Sequence, residues 1–213
     1  MSPARPTKIA LADAEVTRIG LGTNRLIHTP ENAAFVRKAI EAGVDHIDTA
    51  HLYTGGESET TIGDALAGGV QASLVVATKG GFHGGSPRVL RNEIEQSLRR
   101  LKADAIDLYY LHRVDPDTPL DDSLAAIAEY RDAGKIGHVG ISEVSVEQIE
   151  RARQVVPIAA TTTCSTTAPT SRSRSSPTFR CAVPAGRRSR RSRSATGRPR
   201  TRSRWHGCST APR

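Results

Sequence analysis

Apolar residues gather along the first 160 positions in short runs at near-regular intervals. The runs are "RIGLGT" (18–23), "DHIDTA" (45–50), "LVVATK" (74–79), "IDLYYLH" (106–112) and "HVGIS" (138–142). Their starts lie about 30 residues apart, the length of one strand–helix unit. Unbroken apolar character, as in Leu74–Ala77, predicts strands covered on both faces, as in a parallel sheet.

Helical spacing fills the gaps. Thr29-Pro30-Glu31 supplies a cap, a proline for the first turn and an acid at the positive end of the helix dipole. Phe35, Val36, Ala39 and Ile40 then mark one face, and Gly43 ends the helix. Ser86-Pro87 opens a second helix whose Leu90, Ile94, Leu98 and Leu101 form one buried stripe. Thr118-Pro119 opens a third, carrying Leu124, Ile127 and Ala128. Ser145 with Gln148 forms a capping box for a fourth. "ESETTIGDAL" (57–66) is a weaker candidate.

Alternating strands and helices predict an α/β fold with a parallel sheet. An open doubly wound sheet and a (β/α)8 barrel both fit. "GLGTN" after the first strand is too short for the G-x-G-x-x-G dinucleotide fingerprint, which favours the barrel. About five strand–helix units are legible before residue 160, whereas a closed barrel has eight.

Barrels of this type do their chemistry where strands end and loops begin. Asp48, Lys79 and His112 stand at three such ends, and Tyr53 lies in the loop after Asp48. Singly, each has a bland reading as a cap, a solvated cation or a structural histidine. Together they form an acid–base set. A free phenol titrates near 10. A neighbouring ammonium is expected to lower that value, and a carboxylate to keep the lysine charged. Such a tyrosine donates a proton to a carbonyl oxygen that a histidine holds by a hydrogen bond. The set suits carbonyl reduction by hydride.

At these residues the chain resembles the aldo-keto reductase family. The matching stretches are "GLGTNRL", "HIDTAHLYTGGESETTIGDAL", "VVATKGG", "DLYYLHRVDPDTPLDDSLAAIAEYRDAGKIGHVGIS" and "SVEQIERARQVVPIA", covering about residues 18–160 in family order. The resemblance implies a (β/α)8 barrel that reduces small aldehydes or ketones with NADPH. It implies Tyr53 as general acid, Lys79 and Asp48 as its tuning pair, and His112 as the group orienting the carbonyl. It also implies cofactor contacts at Gly22, Thr23, Asn24 and Asp48, with Ser142 and its neighbour Glu143 at the nicotinamide amide. The family often has Asn where Glu143 stands. No metal site is expected.

The formal net charge of +8 points at first to an anionic partner. The charge is not evenly spread. Residues 1–160 hold 17 Lys and Arg against 22 Asp and Glu, while residues 161–213 hold 13 Arg and no acid. All three cysteines (Cys164, Cys181, Cys208) fall in the second segment, which has no Leu, Ile, Met, Asn, Gln or Tyr. Two regions are therefore expected: a partial reductase barrel over 1–160 and a basic, disordered tail over 161–213. With no basic-then-apolar start and no apolar run near the roughly 20 residues that cross a bilayer, a cytoplasmic protein with no membrane partner is expected.

The family pattern calls for a sixth strand ending in glutamine after "PIAA", and for two more units whose loops grip the cofactor's phosphates. The chain reads "TTTCSTTAPTSRSRSSPTF" instead. Three readings of the tail compete: a basic arm binding nucleic acid non-specifically, a solvated tail without a role, and out-of-frame translation of the remaining barrel. The last accounts for most. With Ser165 written as AGY, the frame starting at the third base of Thr163 permits Val-Gln-(His/Tyr), as the family has at its sixth strand. A truncated barrel of this kind is expected to be impaired in turnover.

Overall fold

The computed structural model describes residues 8–69 and 73–162. Six strands lie side by side in chain order, all parallel, and five helices cover one face. The curled sheet is an incomplete (β/α) barrel. Ahead of it, β1 (Lys8–Leu11) and β2 (Ala14–Thr17) form an antiparallel hairpin. The sheet then runs β3 (Leu21–Gly22), β4 (His46–Asp48), β5 (Val75–Gly80), β6 (Ile106–Leu111), β7 (Ile136–Ser142) and β8 (Ile158–Thr162). The helices are α1 (Pro30–Glu41), α2 (Glu57–Leu66), α3 (Pro87–Leu101), α4 (Leu120–Asp132) and α5 (Val146–Val155).

Most local signals acted as expected. The Thr29 hydroxyl accepts from the Asn32 amide at 3.1 Å, and both halves of the Ser145–Gln148 box are formed. The stripe Leu90, Ile94, Leu98 and Leu101 is buried. Two expectations need correction. Phe35 does not join the inner face of α1 and is 52 % exposed; Ala33, Val36 and Ile40 form that face. The weak candidate at 57–66 is a full and deeply buried helix, because Gly63 lets α2 approach the backbone of α3. A Cβ on Gly63 would sit 2.2 Å from the Arg100 carbonyl oxygen.

Two elements escaped the sequence reading. One is β8, whose "IAATT" is too small and polar to stand out as a buried run. The structure therefore has a sixth parallel strand beyond the five legible units. The other is the hairpin. Its Leu11 and Val16 pack against Val75, Ala77, Leu108, Tyr110 and Ala160 and close the concave face at the strands' amino ends.

Strand alternation divides the sheet's side chains. Val76, Tyr109, Leu111, Val139 and Ile141 point to the helices and join the main core. Val75, Ala77, Leu108 and Tyr110 point to the concave side. Continuing that period of two brings Lys79 and His112 to the concave side at the carboxyl ends of β5 and β6.

Candidate active site

The concave face ends in a polar mouth built from strand ends. Parallel register sets Asp48 beside Ala77, and Lys79 beside Tyr110, so the ends of β4, β5 and β6 lie level. Lys79 is 1 % exposed, and its ammonium donates to Asp48 Oδ1 at 2.5 Å and to the Thr49 carbonyl at 2.8 Å. Burying an ammonium is costly unless it is paired and hydrogen-bonded, and both conditions are met.

Tyr53 opens a short 3-10 turn over 53–56 in which Thr54, Gly55 and Gly56 take positive φ of 49°, 67° and 97°. Left-handed backbone at the non-glycine Thr54 is strained, and its surroundings hold it there. The Thr54 hydroxyl donates to the Leu26 carbonyl at 2.8 Å and accepts from the Ser58 amide at 3.1 Å. Beneath the turn, the buried hydroxyls of Thr49, Ser58 and Thr23 form a chain with steps of 2.8 Å, and Thr23 Oγ1 donates to the Asp48 carbonyl at 2.9 Å.

The Lys79 ammonium lies 5.2 Å from the centre of the Tyr53 ring, and the Tyr53 and His112 rings meet edge-on with centroids 6.1 Å apart. The four residues singled out from sequence are thus brought together. The expected electrostatics differ in one respect. Burial, then Asp48, then Glu143 push the Tyr53 phenol up to about 12, above its ordinary value rather than below it. The ammonium is spent on Asp48 and Thr49, while two carboxylates face the phenol. Burial, Lys79 and Arg113 push His112 down to about 4, and its Nδ1 is buried without a hydrogen-bond partner among the described residues. Near neutral pH the mouth therefore holds two uncharged hydrogen-bonding groups, a phenol and an imidazole, beside an ion pair whose lysine is buried and whose carboxylate is partly exposed.

The remaining predicted residues lie around this mouth. Gly22 ends β3, and a Cβ there would meet nothing within 4 Å. Thr23 is buried and Asn24 exposed. Ser142 ends β7, with its hydroxyl accepting from Thr162 Oγ1 at 2.5 Å. Glu143 follows at φ 54°, a backbone that Asn tolerates better than Glu. Its amide donates to the Thr162 carbonyl at 2.9 Å and its carboxylate accepts from Arg113 Nε at 3.0 Å. Phe82 and Arg113 went unnoticed in the sequence. Arg113 lies 4.3 Å from the Phe82 ring, and Phe82 meets His112 at 5.1 Å. Their one signal was position, each lying within three residues after a strand-end candidate.

The residues present suit the nicotinamide end of a dinucleotide cofactor. Gly22 leaves open space, and a hydroxyl at Ser142 and a carboxylate at Glu143 are of the chemical type that accepts hydrogen bonds from an amide. The stretch where the resemblance calls for phosphate-gripping loops lies outside the described residues. Among the described residues no His, Cys, Asp or Glu cluster is placed to hold a metal ion.

An α/β barrel wall with an acid–base set at the carboxyl ends of its strands defines a barrel-type enzyme site. Comparison with known proteins narrows this. The model of the aldo/keto reductase family matches residues 18–170. The aldo-keto reductase YhdN of Bacillus subtilis is 35 % identical over 169 residues, covering 71 % of this chain and 51 % of that protein. An uncharacterized oxidoreductase of Schizosaccharomyces pombe is 35 % identical over 168 residues, covering 70 % and 54 %. Among solved structures, the glycerol dehydrogenase AKR11B4 of Gluconobacter oxydans superposes with a TM-score of 0.68 at 32 % identity, covering 73 % of this chain and 54 % of that one. An aldo/keto reductase of Klebsiella pneumoniae, solved with NADP and acetate, gives 0.61 at 30 % identity, covering 68 % and 52 %. The chain belongs to the aldo/keto reductase family, an oxidoreductase family. It spans about half the length of the curated relatives it matches.

Proposed function

We propose that this chain carries the acid–base half of an NADPH-dependent carbonyl reductase, acting on small aldehydes or ketones. One observation carries the reading: Asp48, Tyr53, Lys79 and His112 converge at one mouth, with Lys79 5.2 Å from the Tyr53 ring and Tyr53 6.1 Å from His112. NADPH, when bound, would supply the hydride for the carbonyl carbon. Tyr53, protonated at neutral pH, gives its proton to the carbonyl oxygen, which leaves an alcohol. His112, uncharged, holds that oxygen by a hydrogen bond without adding a full charge. Lys79 and Asp48 fix the floor of the site. Gly22, Thr23, Asn24, Ser142 and Glu143 face the cofactor's nicotinamide end. Location in the cytoplasm fits this role; no described helix is long and apolar enough to cross a membrane.

The test is NADPH consumption with 4-nitrobenzaldehyde. Turnover slower than that of full-length relatives is expected. Tyr53→Phe should lower it further, by at least about a hundredfold, the usual contribution of a positioned proton donor. A phenylalanine variant as fast as the parent chain would remove Tyr53 from the role.

The composition break after residue 160 favours a second reading for residues 161–213, which lie almost wholly outside the described residues: translation out of frame from a reductase gene. Coding DNA around codon 160 should show a barrel-coding frame one or two bases away, and no such frame would sink the idea. The competing reading is a basic arm on a non-enzymatic body. It predicts binding to any duplex that weakens steeply with salt, through counterion release.

A further inference from the structure

A partly buried polar cluster lies on the convex side, behind the candidate site, and none of its members was assigned a role above. We propose that Arg100 on α3 is a positioning residue, which holds the Tyr53 turn against the strand carrying Lys79. The proposal rests on the reductase reading for its bearing on catalysis.

The geometry runs in one direction. Arg100 Nη1 donates to the carbonyl of His51, two residues before Tyr53, at 3.2 Å. The His51 amide donates to the Lys79 carbonyl at 2.8 Å, and the Tyr53 amide to the Ala50 carbonyl at 3.0 Å. One residue thus carries both the guanidinium's hold on the turn and the turn's hold on β5. The guanidinium is itself fixed. Its Nη2 donates to Gln96 Oε1 at 3.1 Å, and its Nη1 lies 3.4 Å from the Glu59 carboxylate. Glu59 is fully buried and accepts from Thr78 Oγ1 at 2.7 Å, on the residue next to Lys79. Gly56 makes room for the arrangement, since a Cβ there would sit 2.2 Å from the guanidinium carbon.

The turn needs such an anchor. Thr54 holds an unfavourable left-handed backbone, and the hydroxyl chain of Thr23, Thr49 and Ser58 does not reach the His51 carbonyl. A planar guanidinium with several fixed donors suits a two-partner clamp better than an ammonium does. Arg100 restrains the turn at the His51 carbonyl, and without it the phenol has a wider range of positions relative to His112.

The experiment is amide hydrogen exchange on the full chain and on Arg100→Met and Arg100→Lys, with turnover measured alongside. Two amides report on the turn, those of His51 and Tyr53. Two distant ones serve as references: Ile106, bonded to the Lys135 carbonyl, and Val156, bonded to the Ala152 carbonyl. In Arg100→Met the turn amides should exchange at least about tenfold faster relative to the references, as expected for losing a charged hydrogen bond. Arg100→Lys, which keeps one donor within reach of the His51 carbonyl, should show a smaller rise. Equal acceleration of all four amides would mean general destabilisation and overturn the proposal, as would no change at the turn. In an active parent chain, Arg100→Met should lower kcat with KM for the aldehyde unchanged; an unchanged kcat beside faster turn exchange overturns the positioning role. A parent chain without turnover counts against the reductase reading, while the exchange ratio still decides whether Arg100 anchors the turn.

Discussion

The two faces of the sheet are built on different principles. The convex face is apolar and continuous: side chains of β4 to β7 interlock with those of α1 to α5, and Leu90, Ile94, Leu124 and Ile127 are almost wholly removed from water. The concave face has a small apolar floor, shared with the hairpin, and above it a polar mouth with a buried lysine. Stability is concentrated on one side and ionisable chemistry on the other. A parallel strand allows this because successive side chains point to opposite faces, so neighbours such as Thr78 and Lys79 belong to different environments.

The sharpest way to break that comparison is a cavity on the convex side. Leu90→Ala should cost about 2–5 kcal/mol of stability, the usual range for a fully buried leucine. Chemical denaturation would read it, and a loss below 1 kcal/mol would show that the helical side is not the stabilising one. Acid should come next and act on the concave side. Burial holds His112 down to about 4 and also lowers His46, from an ordinary value of 6.5. Below that ordinary value the unfolded chain takes up protons that the folded chain refuses, so stability should fall as pH drops from 6.5 towards 4. His112→Asn should flatten part of that slope in thermal melts across the window. Val16→Ala, at the hairpin plug, should cost about 1.5 kcal/mol, roughly two methyl groups' worth of burial. A cost equal to that of Leu90→Ala would erase the distinction between the two faces. Ser145→Ala, which removes the α5 cap, should have the smallest effect, about 1 kcal/mol.

Much of this architecture could be read from the chain. Repeating apolar runs identified five of the six parallel strands, and capping residues marked where α1 and α5 begin. The acid–base set was legible because each member stands at or just after a strand end. What stayed hidden was small or distant. β8 lacks the bulky apolar residues that announce a buried strand. Phe35 fell on the right helical face by spacing but lies where no neighbour covers it. The Tyr53 phenol was expected low because Lys79 is near, yet the ammonium's hydrogen bonds go to Asp48 and Thr49 while burial and two carboxylates act on the phenol.

By itself the sequence determined the alternating order of most strands and helices and the identity of the strand-end side chains. These follow from periodicity and capping, which act over a few residues. Tertiary structure alone decided that a hairpin floors the concave face, that Glu143 and Arg113 pair beside His112, and that Arg100 reaches the carbonyl of a residue 49 positions earlier. Such contacts depend on how far the sheet curls and how closely α2 and α3 approach. Those distances are set by packing across the whole wall, and no local pattern in the chain records them.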